Sequence, residues 1–357
     1  MSAIDRVTFI IHTYDRPEFL IRLVRYFDSI DALLGVRVII ADGSDDDQAE
    51  PFDRWLAGHQ PRFDLSLERH PRTTIMDRLG IILAMVDTPY VILGADDDLY
   101  FFDWIGSALE VLDAEPDVGV IFGDFMLFQL AAFEPYGRDV SFNIPKFENP
   151  PPAWLEDDTP VQRLNELASK RLGFATAGWY AIQRQDLLST IVGFGQRFKL
   201  EPLMFERFLV LAQAAATKTR MLVRLLGARQ VDPNCHRPPF QLRGNEAHVE
   251  ALVTCCIAFL VEQSGFAESE ARALTNGVLS AEVGMMELAY RKRHARALAR
   301  SIPLLRTIWR RLRPVKTVHL VRDRRLPPSP NINNFLWQQL VVERVVRYSL
   351  EEAPAGA

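Results

Sequence analysis

Cysteine is nearly absent. Cys235, Cys255 and Cys256 are the three in 357 residues, too few for a disulfide framework and in keeping with a reducing compartment. Cys255 and Cys256 are adjacent within an apolar helical pattern, so they read as small buried hydrophobes rather than a metal or redox pair. No apolar run approaches the ~20 residues that a membrane-crossing helix needs. The opening "MSAIDRVTFIIHTYDRP" carries Asp5 and Arg6 ahead of a short apolar run that breaks at His12, which argues against a cleavable leader and predicts a cytoplasmic protein. Internal repeats are missing, as is low complexity apart from the closing "APAGA". There is no glycine-rich, Arg/Lys-containing phosphate loop near the N-terminus.

Positive charge is scarce in the first part of the chain only. Residues 1–150 hold 27 Asp/Glu against 12 Lys/Arg, a balance of −15, whereas the remainder balances at +10 within an overall −5. Much of the basic excess lies in residues 291–325, where 13 Lys/Arg face one Asp. There Ile302, Leu305, Ile308, Trp309 and Leu312 fit one helical face, a candidate for contact with anionic lipid at the inner face of the membrane. A helix packed on the rest of the protein, or a surface for a homo-oligomer, accounts for the same pattern. Overall acidity and the lack of a recognition motif speak against nucleic acid as a partner.

What is present is a core-forming composition, 48% hydrophobic, arranged in alternation. "RVTFIIH" and "VRVIIAD" are short, β-branched, apolar runs that end at polar clusters, as strands buried on both faces of a parallel sheet do; "RFDLSLERH" reads as a further strand and "PYVILGA" as a third central strand that ends at the triple aspartate. Between them "RPEFLIRLVRYFDSI" places Phe19, Leu20, Leu23, Val24 and Phe27 at helical spacing behind Pro17, and "TTIMDRLGIILAMVD" follows the same logic. "FFDWIGSALEVLDAEP" predicts a further helix, and "DVGVIFGDFMLFQ" a further strand. Segments 161–172 and 200–216 read as helices, and the proline-rich stretch from Asn143 as a long loop. The prediction is an open, mostly parallel Rossmann-like α/β sheet flanked by helices over residues 1–240, followed by a helical C-terminal region over 241–357. Ligands of such sheets bind outside the carboxyl ends of the strands, where "HTYDRP", "ADGSDDD" and "GADDD" fall.

Asp96, Asp97 and Asp98 follow an apolar strand directly. Adjacent carboxylates repel and raise one another's pKa values unless a cation is present, and Mg²⁺ or Mn²⁺ takes one or two carboxylates while substrate phosphates complete the octahedron. Alternation sends Asp96 and Asp98 one way and Asp97 the other. A solvated acidic turn, or an N-cap supplied by Asp98 or Asp103, is the competing account. In "ADGSDDD", Asp42 could accept from the N3–H of a uracil ring while Gly43 lets the base approach; a plain turn is the alternative.

The order of "IIHTYDRPEFL", "VIIADGSDDD", "GIILAMVDTPYVILGADDDLYFFDWI" and "FGDFMLF" resembles the inverting family 2 glycosyltransferases of the GT-A fold, over roughly residues 6–240. The resemblance implies a nucleotide-sugar donor, UDP-linked, and a glycan or lipid-linked acceptor in cell-surface polysaccharide synthesis. It places Thr13, Tyr14 and Arg16 beside the nucleobase, Asp42 on the uracil and Arg69 near the diphosphate. The family's Asp-x-Asp metal motif falls on the triple aspartate in either of two registers: alignment of Tyr90 puts the main ligand on Asp97, and the literal spacing selects Asp96 and Asp98. Asp97 and Asp98 rank first as ligands of Mn²⁺ or Mg²⁺, with Asp96 toward the nucleotide. His236, in a proline-bounded loop, falls where such enzymes place a His that ligates the metal or touches the diphosphate.

Inversion needs a carboxylate to deprotonate the acceptor hydroxyl. The similar enzymes carry it at a helix start behind a Gly-Phe turn, here Gly193 and Phe194, which implies Glu201 as base, then Glu206, then Asp124. This chain departs from the family in lacking the Glu-Asp pair. Trp179 and Tyr180 are candidates to stack on an acceptor sugar, or equally core. Rival readings are a catalytically inactive GT-A-like binding or scaffold module and a sugar-phosphate nucleotidyltransferase, the latter disfavoured by the missing phosphate loop. A phosphatase with an Asp-x-Asp nucleophile is disfavoured because that motif belongs at the first strand.

Overall fold

The computed structural model describes residues 3–30, 35–130, 140–143, 155–170, 178–231, 246–281 and 318–320. Its centre is four parallel strands, β1 (Val7–Thr13), β2 (Arg37–Asp42), β3 (Asp64–Arg69) and β4 (Tyr90–Ala95), in the order β4-β1-β2-β3. β1 is buried at every position, which is why its sequence runs apolar without alternation. Full burial of each of Phe9, Ile10 and Ile11 contributes about 1.5–3 kcal/mol. β1 and β4 stop just short of the ionic side chains that follow them, because such groups cannot be left between two packed layers of helices.

Beyond β4 the sheet mixes directions. β5 (Leu99–Tyr100), β6 (Val118–Leu130), β7 (Val140–Asn143), β8 (Ile182–Arg184), β9 (Lys218–Gln230) and β10 (Val318–Leu320) complete it, along the path β10-β7-β6-β8-β4. β8 runs antiparallel to both β4 and β6, while β9 lies parallel to β6 and antiparallel to β5. The expected fold class is therefore present: a mostly parallel α/β sheet at the centre, flanked by helices.

The helices are α1 (Pro17–Asp28), α2 (Asp46–Ala57), α3 (Ile75–Leu83), α4 (Ile105–Ala114), α5 (Pro160–Lys170), α6 (Gln185–Arg197), α7 (Pro202–Ala216), α8 (Glu246–Ser264) and, over residues 268–281, α9. α1 starts with Pro17 in its first turn and buries Phe19, Leu20, Leu23, Val24 and Phe27, the face read from the sequence. α2 begins at the acidic run Asp45–Asp47, whose charge complements the helix dipole. Thr74 caps α3 by accepting from the Asp77 N–H at 3.1 Å. α8 corrects one expectation, since its 19 residues are long and apolar enough, by length and composition, to cross a membrane. Here it lies on the protein core: Phe259 packs edge-on against Phe194 and Phe208, with ring centroids at 5.1 and 5.5 Å, and Cys255 and Cys256 are buried. Most of the basic stretch 291–325 and of the proline-rich loop after Asn143 lies outside the described residues.

Candidate active site

Register brings the predicted residues to one edge. Thr13 pairs with Asp42, Asp42 with Arg69, and His12 with Ala95, so that the carboxyl ends of β1, β2, β3 and β4 deliver Thr13, Asp42, Arg69 and Asp96 side by side. The turn after β4 is braced from beneath. Tyr100 bends back so that its hydroxyl accepts from the Ala95 N–H at 2.6 Å and donates to the Ala95 carbonyl at 3.0 Å. Gly94 makes this possible, since a Cβ there would lie 2.8 Å from that hydroxyl. Tyr26 donates to the Tyr100 carbonyl at 2.6 Å, and Phe9 packs against Tyr100 and Phe102 at 4.7 and 5.5 Å.

Within the turn the three carboxylates have different surroundings. Asp96 is wholly buried; its Oδ2 accepts from Thr13 at 2.6 Å and its Oδ1 lies 2.8 Å from Arg16 Nη2. Asp98 is also buried, accepting the Gln230 N–H at 2.9 Å and standing 3.7 Å from Arg229 Nε. Asp97 keeps 16% of its side-chain surface in contact with solvent and meets Arg16 Nη1 at 3.0 Å. The competing account of a freely solvated acidic turn does not describe this geometry, and the N-cap of α4 is Trp104, neither Asp98 nor Asp103. Burial pushes Asp96 up to about 7 against the pull of Arg16, and burial together with Asp97 pushes Asp98 up to about 7 against Arg229. Burial opposes the charge on Arg16, but Asp96 and Asp97 outweigh it and raise its pKa.

Asp42 is fixed by its own turn. Its Oδ1 accepts the Ser44 N–H at 2.8 Å, and its Oδ2 lies 3.3 Å from Arg69 Nε. The fork of Arg69 turns to Asp53, with two bonds of 2.6 Å, so in this structure Arg69 orients Asp42. The room over Gly43 is taken by Arg78, whose Nη1 is 1.7 Å from where a Cβ would sit. Tyr14 is 54% exposed at the mouth.

Glu201 is the exposed N-cap of α7, making no cap hydrogen bond with its side chain, and Pro202 follows in the first turn. Glu206 lies on the same helix, half-buried. α7 reaches the strand ends through Phe205, which packs edge-on against Trp179 at 6.2 Å; Trp179 in turn meets His12 at 5.5 Å. The expected Gly-Phe turn is corrected: Gly193 and Phe194 lie inside α6, with Phe194 buried against α8. Trp179 and Tyr180 are both buried, and Tyr180 lies under Arg229, whose guanidinium is 4.8 Å from its ring centroid. Asp124 belongs to β6. His236 lies outside the described residues.

Sequence reasoning missed Arg22, Arg78 and Arg229. Arg22 is fully buried, donating to Gln230 Oε1 and to the Asp97 carbonyl, both at 2.6 Å. Its signal was a charge on the apolar face of α1, three residues from Phe19. Arg78 likewise interrupts the apolar face of α3 between Met76 and Leu79. Arg229 carries no such signal, because its role depends on β9 pairing with β5.

Among the described residues, no three His, Cys, Asp or Glu side chains converge into a group able to hold a metal alone. The donor set fits a leaner mode, in which one accessible carboxylate, Asp97, is backed by two buried ones and the remaining ligands come from a bound phosphate.

No protein-family model matches the chain, and no curated protein matches it in sequence. Solved structures do. TarS 1–349 of S. aureus in complex with UDP-GlcNAc superposes with a TM-score of 0.51 at 12% identity, covering 78% of this chain and 73% of that one. The mannosyltransferase PcManGT of Pyrobaculum calidifontis in complex with GDP-Man and Mn²⁺ gives 0.43 at 15% identity, with 85% and 82% covered. The likeness to TarS is one of fold.

Proposed function

We propose that the chain is a metal-dependent inverting glycosyltransferase, moving a sugar from a UDP-linked donor to a glycan or lipid-linked acceptor of a cell-surface polysaccharide. The observation that carries the reading is the edge itself: Thr13, Asp42 and Asp96 stand on neighbouring strand ends, in register, beside the half-exposed Tyr14 and the accessible Asp97. Ligands of open α/β sheets bind there. The structure of like fold with UDP-GlcNAc bound supports the same class of ligand.

In this reading Tyr14 lies against the nucleobase. Asp42, held by Arg69 and by the Ser44 N–H, accepts from the base. Asp97 would hold Mn²⁺ or Mg²⁺, with Asp98 behind it; when bound, the cation supplies charge neutralisation for the departing diphosphate. Thr13 keeps Asp96 in place, and the Gln230 N–H does the same for Asp98. Glu201, at the start of α7 where the helix dipole favours a carboxylate, takes the proton of the acceptor hydroxyl; Glu206 is the second choice. The protein acts in the cytoplasm.

One observation favours a second reading, an inactive GT-A-like binding module: each aspartate of the cluster already has an arginine partner. A panel of nucleotide sugars, assayed for transfer or hydrolysis with and without Mn²⁺, separates the two. Turnover of one donor that needs Mn²⁺ and disappears in Glu201→Gln supports the transferase. Tight nucleotide binding without turnover of any donor supports the module.

A further inference from the structure

We infer that Arg16 is a built-in counter-ion that occupies Asp97 before the donor arrives and is drawn onto the diphosphate when it binds, so that nucleotide and divalent cation enter the site together. The inference rests on the proposed function.

A single guanidinium spans the two carboxylates, with Nη2 at 2.8 Å from Asp96 and Nη1 at 3.0 Å from Asp97. The two pairs are unequal. Asp96 also holds Thr13 at 2.6 Å and has no solvent exposure, whereas Arg16 is the one ion-pair partner of the Asp97 carboxylate among the described residues. Of the other nearby arginines, Arg22 bonds the Asp97 backbone carbonyl and Arg229 faces Asp98. Moving Arg16 therefore frees Asp97 and leaves Asp96 and Asp98 hydrogen-bonded.

The aim of Arg16 is set by the backbone. Asp15 takes a left-handed conformation, φ 54°, uncommon for a residue with a side chain, and its N–H donates to Ser44 Oγ at 2.7 Å. Pro17 then starts α1, and the Arg16 guanidinium lies 5.4 Å from the Phe19 ring centroid. These ties turn Arg16 back over the aspartates. Its side chain is nonetheless 34% exposed, so an anion arriving from solvent can reach it. A guanidinium donates through two parallel N–H groups to phosphate as it does to carboxylate, so the diphosphate offers a replacement partner. A cation approaching alone meets a carboxylate already neutralised.

The test uses the full chain and Mn²⁺ followed by electron paramagnetic resonance, first alone and then with UDP. Arg16→Gln should bind Mn²⁺ alone about tenfold more tightly than wild type, an effect kept modest because the pair is partly solvated. By linkage, the factor by which UDP strengthens Mn²⁺ binding should shrink correspondingly. UDP binding without metal should weaken. A merely structural arginine would loosen Mn²⁺ binding when removed, so unchanged or weaker Mn²⁺ binding in Arg16→Gln, with the wild type binding UDP and Mn²⁺, overturns the inference alone. A wild type that binds neither overturns the function beneath it. Should Arg16→Gln lack a folded circular dichroism spectrum, Arg16→Lys decides: it keeps the charge but cannot bridge both carboxylates, and should tighten Mn²⁺ about threefold. No tightening in that variant overturns the inference.

Discussion

Replacing Tyr100 by Phe removes one oxygen from beneath the turn that carries the three aspartates. The side chain is 3% exposed and packed between Phe9 and Phe27 at 4.7 and 6.4 Å, so the ring has no reason to move. Lost are the two hydrogen bonds that tie it to the Ala95 N–H and carbonyl at 2.6 and 3.0 Å. At about 0.5–1.5 kcal/mol each, Tyr100→Phe should cost about 1–3 kcal/mol. Urea unfolding followed by tryptophan fluorescence should show a lower midpoint with an unchanged slope, because the surface exposed on unfolding is the same. Because those bonds brace the turn that carries Asp96, Asp97 and Asp98, affinity for UDP with Mn²⁺ should fall about fivefold or more, of the order that supporting contacts around a metal provide. A variant as stable as wild type, with unaltered nucleotide affinity, would refute the claim that this hydroxyl holds the strand end.

Other consequences are equally direct. Arg22→Met deletes the buried donor to Gln230 and to the Asp97 carbonyl and should destabilise by about 1–3 kcal/mol, the cost of leaving buried acceptors unsatisfied; denaturant midpoints check it. Gly94→Ala pushes a methyl into Ile11, Tyr100 and Phe9 and should cost about 1–3 kcal/mol through overpacking, measurable in the same way. His12 is held down to about 3 by burial and then by Arg78. It folds neutral, so its contribution is complete above the ordinary value near 6.5 and is lost as pH falls from there toward 3, at ~1.4 kcal/mol per pH unit. Asp96 and Asp98, raised by burial, change stability in the opposite sense over that range. The comparison is therefore between His12→Phe and wild type: the variant should lose about 2–3 kcal/mol less between pH 7 and pH 4.5. Equal losses in the two proteins would contradict a neutral, buried His12.

The central sheet was legible because strands buried on both faces leave an unbroken apolar run in the sequence, and β1 and β4 are such runs. The polar clusters at their ends were legible for the same reason, since burial forbids them earlier. The alternation that separates Asp97 from Asp96 and Asp98 could be read, and the structure shows the two buried and the one accessible. The partners of those carboxylates could not be read. Arg22 reaches Gln230 across 208 positions, and Asp98 meets Arg229 and Gln230 only because β9 returns to pair with β5. Gly193 and Phe194 misled in the other direction: the family resemblance implied a turn there, but apolar contacts of Phe194 with Phe208 and Phe259 hold it in a helix. Room over Gly43, which the sequence offered to a nucleobase, is filled by Arg78, a contact set by how α3 packs on the sheet.

The most direct measurement is calorimetric titration of UDP in the presence of Mn²⁺ into the wild type and into Asp97→Asn, whose side chain keeps its shape and loses its charge. The wild type should bind UDP more tightly with Mn²⁺ than without, and Asp97→Asn should lose this dependence, with affinity about a hundredfold lower. An Asp97→Asn protein that binds UDP with Mn²⁺ as tightly as the wild type would contradict a metal-holding Asp97.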